Sequence, residues 1–269
     1  MFGSADGYVY CLDNKKGKLI WKYKTGAAVL GCPLVHGDTV FIGGSDHHYR
    51  ALSIRSGVLI WDFDGLQGPV VSTPLWYEGK LIFGAWDRHL YALSGTNGQL
   101  LWKWNNGSSV RNYSPASCIP VAAVGVVYIM APDRVVTAID IQNGTTLWRN
   151  NDGGVRESIG ISADGKWIYG KTMQDTVVAY SAGRVKQPVA WKMHAGFGYE
   201  HAPSMLIEKE GRVYFGTRSG VVYCINPENR QLNWKYKLDN SMVNTVQVVD
   251  ANHLLATTMD GKLVLLEAD

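Results

Sequence analysis

Charge is scarce in this chain: of 269 residues only 18% are Asp, Glu, Lys or Arg, against roughly a quarter in ordinary soluble domains. The net charge is +3 and no Lys/Arg-rich run occurs, so the basic footprint of a nucleic-acid binder is missing and no nucleic-acid partner is expected. No run of 18 or more apolar residues exists, and no transmembrane helix is expected. Cysteine is sparse, with four residues at 11, 32, 118 and 224 and no two adjacent. Neither Cys-x-x-Cys nor His-x-x-x-His occurs among these and the seven histidines, so no metal-ligand spacing is present. A Gly-x-Ser-x-Gly elbow is absent, which removes the commonest signature of an activated serine. No stretch holds a 3.6-residue period over the roughly 10–12 residues that a helix needs. These gaps leave no candidate catalytic residue, and the chain reads as one without activity of its own.

What is abundant is glycine and aromatic surface: 30 Gly, 10 Trp and 14 Tyr. With 46% hydrophobic residues the chain can bury enough surface to offset the ordering entropy, which excludes disorder. Laid over itself, it repeats. A turn, a small apolar slot and a tryptophan recur from Asp6 to Trp21, Asp46 to Trp61, Asp87 to Trp102 and Asp133 to Trp148, with weaker copies from Gln174, Ser219 and Asp260. Successive turns are separated by 40, 41, 46, 41, 45 and 41 residues. The turn-to-Trp distance is 15 in five units and 17 in the one ending at Trp191.

Each unit reads as four short strands. In the third they are the Pro-containing Val71–Leu75, then Leu81–Gly84, Leu90–Leu93 and Leu100–Trp104, with Glu78-Gly79, Asp87-Arg88 and Asn97-Gly98 as turns. Four strands per 40–45 residues is the period of a β-propeller blade. The expected fold is all-β: a seven-bladed propeller of four-stranded antiparallel blades, a single domain over residues 1–269 with blades near 1–25, 26–66, 67–107, 108–152, 153–195, 196–238 and 239–269. The first and last units hold three strands each and the five between hold four, 26 in all. The missing pair is the inner strand of the first blade and the outer strand of the last. An upstream segment supplying both is therefore expected, and the chain reads as a fragment of a longer one. Seven blades need one such segment, whereas an eight-bladed ring needs a longer extension.

The repeated residues have mechanical roles in such a blade. The turn Asp closes its hairpin by accepting backbone N–H groups. Gly17, Gly57, Gly98 and Gly144, four residues before a Trp, supply a positive φ; Arg230 in the same slot implies a different turn. Trp21, Trp61, Trp102, Trp148, Trp191 and Trp234 dock one blade on the next, with each indole N–H seeking an acceptor. Cys11 and Cys224 stand where other units have Ala and pack as small apolar residues.

The pattern Asp-Gly-x-x-Tyr-Ala-Leu-Asp followed by Thr-Gly-x-x-x-Trp, spread over essentially the whole chain, resembles the pyrroloquinoline-quinone-like propeller repeat. That superfamily includes quinoprotein alcohol dehydrogenases and outer-membrane barrel-assembly scaffolds. The resemblance implies an extracytoplasmic location. It leaves pyrroloquinoline quinone with calcium as an alternative cofactor, but the dehydrogenases place adjacent cysteines beside the quinone and this chain has none, so no cofactor is expected. The runs Arg156–Gly160 and Gly198–Pro203 resemble propellers at the C-terminal end of longer bacterial chains, some of the metallophosphoesterase type. That leaves an accessory domain of a hydrolase as a second alternative, although none of the phosphoesterase His/Asp motifs occurs here.

Aligned on the inner-strand proline, Asn112, Glu157 and Glu200 share one register, with Arg111, Arg156 and Tyr199 a step before and Tyr113, Ser158 and His201 a step after. Inner strands line a propeller's channel, so these residues are expected to converge on one mouth. The turns bearing His48, Trp86, Arg88, His89 and Arg134 are expected to open on the same face. A funnel of this polar–aromatic kind suits a protein partner, an upstream domain of the same chain or a polar ligand.

Overall fold

The computed structural model describes residues 1–186, 188–201, 203–250 and 252–267. It divides into two compact units, one of residues 1–120 with 142–145, the other of 121–141 with 146–269.

The first unit opens with a three-stranded sheet, Phe2–Gly3, Tyr8–Leu12 and Leu19–Lys24. Two four-stranded antiparallel sheets follow: Leu34–His36, Thr39–Gly43, Tyr49–Ser53 and Leu59–Phe63, then Leu75–Tyr77, Lys80–Gly84, Leu90–Ser94 and Leu100–Trp104. The second unit has a four-stranded sheet (Val121–Ala123, Val126–Met130, Val136–Asp140, Thr146–Asn150) and ends in a three-stranded one (Val243–Val248, His253–Thr258, Leu263–Glu267). Among the described residues the strands number 26, as the repeat arithmetic required.

Burial explains the strand sequences. Middle strands such as Val126–Met130 are buried at every position and read as continuous apolar runs because both faces are covered. Fourth strands such as Leu59–Phe63 bury only their tryptophan. The small-residue slot has a direct cause: Cys11, Ala51, Ala92, Ala138, Ala179 and Cys224 each lie directly across the ladder from their own unit's tryptophan. Residues directly opposite share one face of the sheet, so the slot sits beside the indole. The register shifts immediately after each of these pairs, so a β-bulge twists every outer strand at the same point.

Tryptophan docking recurs in both units. Trp21 donates its indole N–H to the Ile54 carbonyl at 2.8 Å, Trp61 to Gly95 at 3.2 Å and Trp148 to Gly183 at 2.9 Å. Gly98 has a φ of 72°, and a Cβ there would lie 2.5 Å from the Trp61 ring. The glycine is thus required twice, by its backbone conformation and by the ring that lies on it. One expectation is corrected here: Arg230 makes the same turn as its glycine counterparts, with a φ of 59° and its N–H on Asn226 at 2.9 Å. Asn229 holds the turn by accepting the Gln231 N–H at 3.1 Å, as Asn97 does for Gln99.

The units at 153–195 and 196–238 join into one eight-stranded sheet, in which Val155–Ile161 pairs in parallel with Leu206–Lys209. Gly160 permits this, because a Cβ there would overlap the Leu206 carbonyl. The fourth strand of the former unit, Val189–Tyr199, runs for 11 residues, past the boundary expected at 195.

Candidate functional site

Because the funnel residues are divided between the units, each group has its own geometry. In the first unit, Arg111–Tyr113 forms a 3-10 turn and Pro115–Ser117 a second. The expected inner-strand start is corrected: the pairing strand begins only at Val121. Pro115 has no N–H for a ladder and a φ suited to a helical first turn, while the Ser114 hydroxyl anchors the segment on the Ala85 carbonyl at 2.6 Å. Asn112 and Tyr113 are exposed; the Arg111 side chain lies outside the described residues.

His48 and His89 do not meet as a pair. The first has Nδ1 2.8 Å from Asp62, and the second has Nε2 3.1 Å from Asn105, so each imidazole is held from its own sheet's fourth strand or the residue after it. Trp86 is half-buried and Arg88 exposed. The turn aspartates act as the sequence implied. Asp87 accepts the N–H of His89 at 3.1 Å and of Gln67 at 3.0 Å, and the Tyr91 hydroxyl at 2.6 Å. At Asp46, burial works against the charge, but the Arg50 guanidinium and the Gly26 N–H outweigh it and hold the carboxyl below its usual range.

The residue after the turn position is left-handed throughout. It is glycine at 7, 220 and 261, but His47, Arg88, Arg134 and Asp175 in the other four units, with φ of 65°, 76°, 63° and 59°. Non-glycine residues in this region carry strain that clusters at functional positions, and three of these four are basic or imidazole side chains. Sequence reasoning ranked Arg88 and passed over His47; the replaced glycine was the available signal.

In the second unit, Arg156 bonds the Glu157 carboxylate at 3.0 Å. Glu157 is buried, with a φ of 54° where the strand register shifts. Glu200 is 2% exposed, accepts the Arg218 N–H at 2.6 Å and lies 3.9 Å from the Lys171 ammonium. Both carboxylates therefore serve their own chain. The exposed members are Tyr199, at 63%, and His201, whose Nδ1 lies 3.1 Å from Arg218. Tyr199 closes a fourth strand, paired with Gln174, rather than opening an inner one.

The same unit contains a cavity of about 450 Å³ whose lining includes Arg134, Thr172, Thr176, Lys192, His194 and Tyr199. Of these the sequence had singled out Tyr199 and the turn bearing Arg134; Thr172, Thr176, Lys192 and His194 come from separate strands with no shared local pattern. Among the described residues no group of three or more His, Cys, Asp or Glu side chains gathers as a metal cluster, and no helix is long and apolar enough to cross a membrane. The Cys224 thiol, opposite Trp234, is pushed up to about 11 by burial.

Four-stranded antiparallel sheets with a repeated Trp–Gly contact and an Asp-closed turn define the blades of a propeller carrying pyrroloquinoline-quinone-like repeats. The family model described as outer membrane protein assembly factor BamB matches residues 1–184 and 187–269, and the chain belongs to that family. The outer membrane protein assembly factor BamB of Yersinia pestis is 25% identical over 273 aligned positions, covering 96% of this chain and 66% of the relative. That of Escherichia coli K12 is 25% identical over 154, covering 57% and 38%. The chain thus spans less than two thirds of either relative. Among solved structures, BamB from Moraxella catarrhalis aligns with a TM-score of 0.76 at 19% identity, covering 99% of this chain and 78% of that one. The computationally designed protein Ika8 aligns at 0.82 and 18%, covering 99% and 79%. These alignments establish the all-β propeller fold.

Proposed function

We propose that this chain is a non-catalytic, protein-binding propeller of seven blades that serves in outer-membrane protein assembly outside the cytoplasm. The observation that carries the reading is the family match over nearly the whole length, 1–184 and 187–269. The surface chemistry supports it. Tyr199, His201, Trp86 and Arg88 leave aromatic and polar faces accessible at strand ends and turns, the residue types that anchor protein interfaces. Arg156 is half-buried on its bulged strand. No cofactor enters this account. The seven-blade count rests on the seven repeated turns. The last sheet, with three strands, leaves Leu263–Glu267 as an edge beside a groove lined by Trp234, Tyr236, Leu265 and Leu266. The buried Trp234 indole N–H has no acceptor there among the described residues.

The reading is tested by placing a photo-crosslinking residue at Tyr199, His201 or Trp86 of the full-length protein in cells of the organism that encodes it. Adducts with a protein of the outer-membrane assembly machinery are expected at these positions and not at Leu101, exposed on a fourth strand. No adduct at any of the three, or the same adducts at Leu101, would contradict it.

A further inference from the structure

We propose that the cavity in the second unit is a carboxylate-binding site that receives an acidic side chain of a partner segment. The inference rests on the protein-binding reading and deepens it by naming the partner's chemistry. At about 450 Å³ the cavity is within the range of ligand sites. Its lining carries Arg134, Lys192 and His194 and no Asp or Glu.

The basic groups are poorly neutralised. The Arg134 guanidinium makes no hydrogen bond or ion pair among the described residues, while its backbone is held in the left-handed region at a φ of 63°. Lys192 Nζ has a neutral acceptor, the Asp152 carbonyl at 3.1 Å. His194 Nδ1 lies 3.3 Å from Thr176 Oγ1, which itself donates to the Gln174 carbonyl at 3.0 Å. Thr172 Oγ1 accepts the N–H groups of Gln174 and Thr176 at 3.1 and 3.2 Å, so its own hydroxyl proton is available to an incoming oxygen.

Two acidic residues adjoining the lining are directed elsewhere. Asp133 holds Arg149 at 2.5 Å and the Val135 N–H at 3.1 Å. Asp175 accepts the N–H groups of Phe197 and Gly198 at 2.5 and 3.1 Å. Asp152 is exposed, and its carbonyl accepts from Lys192. A planar guanidinium, an ammonium and a hydroxyl around one hollow are the donor set for a carboxylate, whose charge-assisted hydrogen bonds are the strong ones. The exposed Tyr199 at the rim would cover the peptide that carries it.

The test is fluorescence anisotropy with the full-length protein and a labelled heptapeptide, blocked at both ends and bearing three glutamates, beside its glutamine counterpart. The glutamate peptide is expected to bind, more weakly as salt rises, and the glutamine peptide to bind at least tenfold more weakly. Arg134→Gln and Lys192→Gln, singly and together, are expected to lower the affinity, the pair by tenfold or more, with thermal melting unchanged. Lys235→Gln, on the groove of the last sheet, is expected to leave it unaltered. Equal binding of the two peptides, or wild-type affinity in the double variant, would overturn the site. So would inorganic phosphate displacing the peptide at a concentration equal to the peptide's own Kd, which would make the ligand a free oxyanion. Cross-linking at Tyr199 reads the protein-binding role separately, so a partner captured there together with an unselective peptide response would reject the carboxylate site alone.

Discussion

Replacing Trp61 by Ala is expected to destabilise the protein by about 3–5 kcal/mol, the range for emptying a buried tryptophan site. The ring lies against Gly98, its N–H reaches the Gly95 carbonyl, and Phe41 packs with a centroid separation of 5.8 Å. Truncation removes the contact on both sides and leaves the left-handed Gly98 turn facing a hole, which the backbone there cannot fill. Trp61→Phe keeps most of the apolar surface and loses the hydrogen bond, worth about 1 kcal/mol. Denaturant unfolding monitored by circular dichroism checks both. A loss under about 1 kcal/mol for the alanine variant would mean that the tryptophan does not hold the sheets together.

The second large effect concerns Lys171. The residue is 2% exposed and donates to the Gly216 carbonyl at 3.1 Å, with Glu200 at 3.9 Å. Burial pushes its pKa down to about 8, the nearby Glu200 carboxylate pulling the other way. Lys171→Met is expected to cost about 3–5 kcal/mol, because it strips the ammonium from a carboxylate that stays buried. Lys171→Met combined with Glu200→Gln is expected to recover most of that loss, since both charges leave together. The pH dependence has a definite sign. A native pKa below the unfolded value near 10.5 means that between about pH 8 and 10.5 the unfolded chain holds a proton the native chain has shed. Stability therefore rises with pH in that window, by about 1 kcal/mol per unit at most, and Lys171→Met should lack this rise. A double variant as unstable as the single one would show that the pair is not the cause.

The repeat was legible because its parts are local. A turn Asp, a Gly four residues before a Trp and a small residue across from that Trp lie within 15 or so positions of one another, and each has a steric reason that composition alone exposes. Arg230 shows the limit of that reasoning: a neighbouring Asn and the turn's own hydrogen bonds hold an arginine where glycine was expected. Asn112 and Tyr113 were misplaced because alignment on a proline assumed a strand where Pro115 instead starts a 3-10 turn. Glu157 and Glu200 were expected at the channel mouth; Glu157 is held by its neighbour Arg156, whereas nothing local announces Arg218 or Lys171 as partners of Glu200, contacts that exist only once distant strands pair. The cavity was invisible for the same reason. Arg134, Thr172 and Lys192 span 59 positions and share no register, and their common feature, a hollow without a lining carboxylate, is a property of the folded chain.

The central claim, a propeller that serves outer-membrane protein assembly by binding rather than catalysis, is tested most directly by deleting the gene in the organism that encodes it and quantifying the β-barrel proteins of the outer membrane by mass spectrometry. The account predicts a fall in those proteins that is restored by the wild-type gene and not by one carrying substitutions at Tyr199, His201 and Trp86 in a stably folded product. An outer membrane of unchanged composition after deletion, or full restoration by the substituted gene, would contradict it.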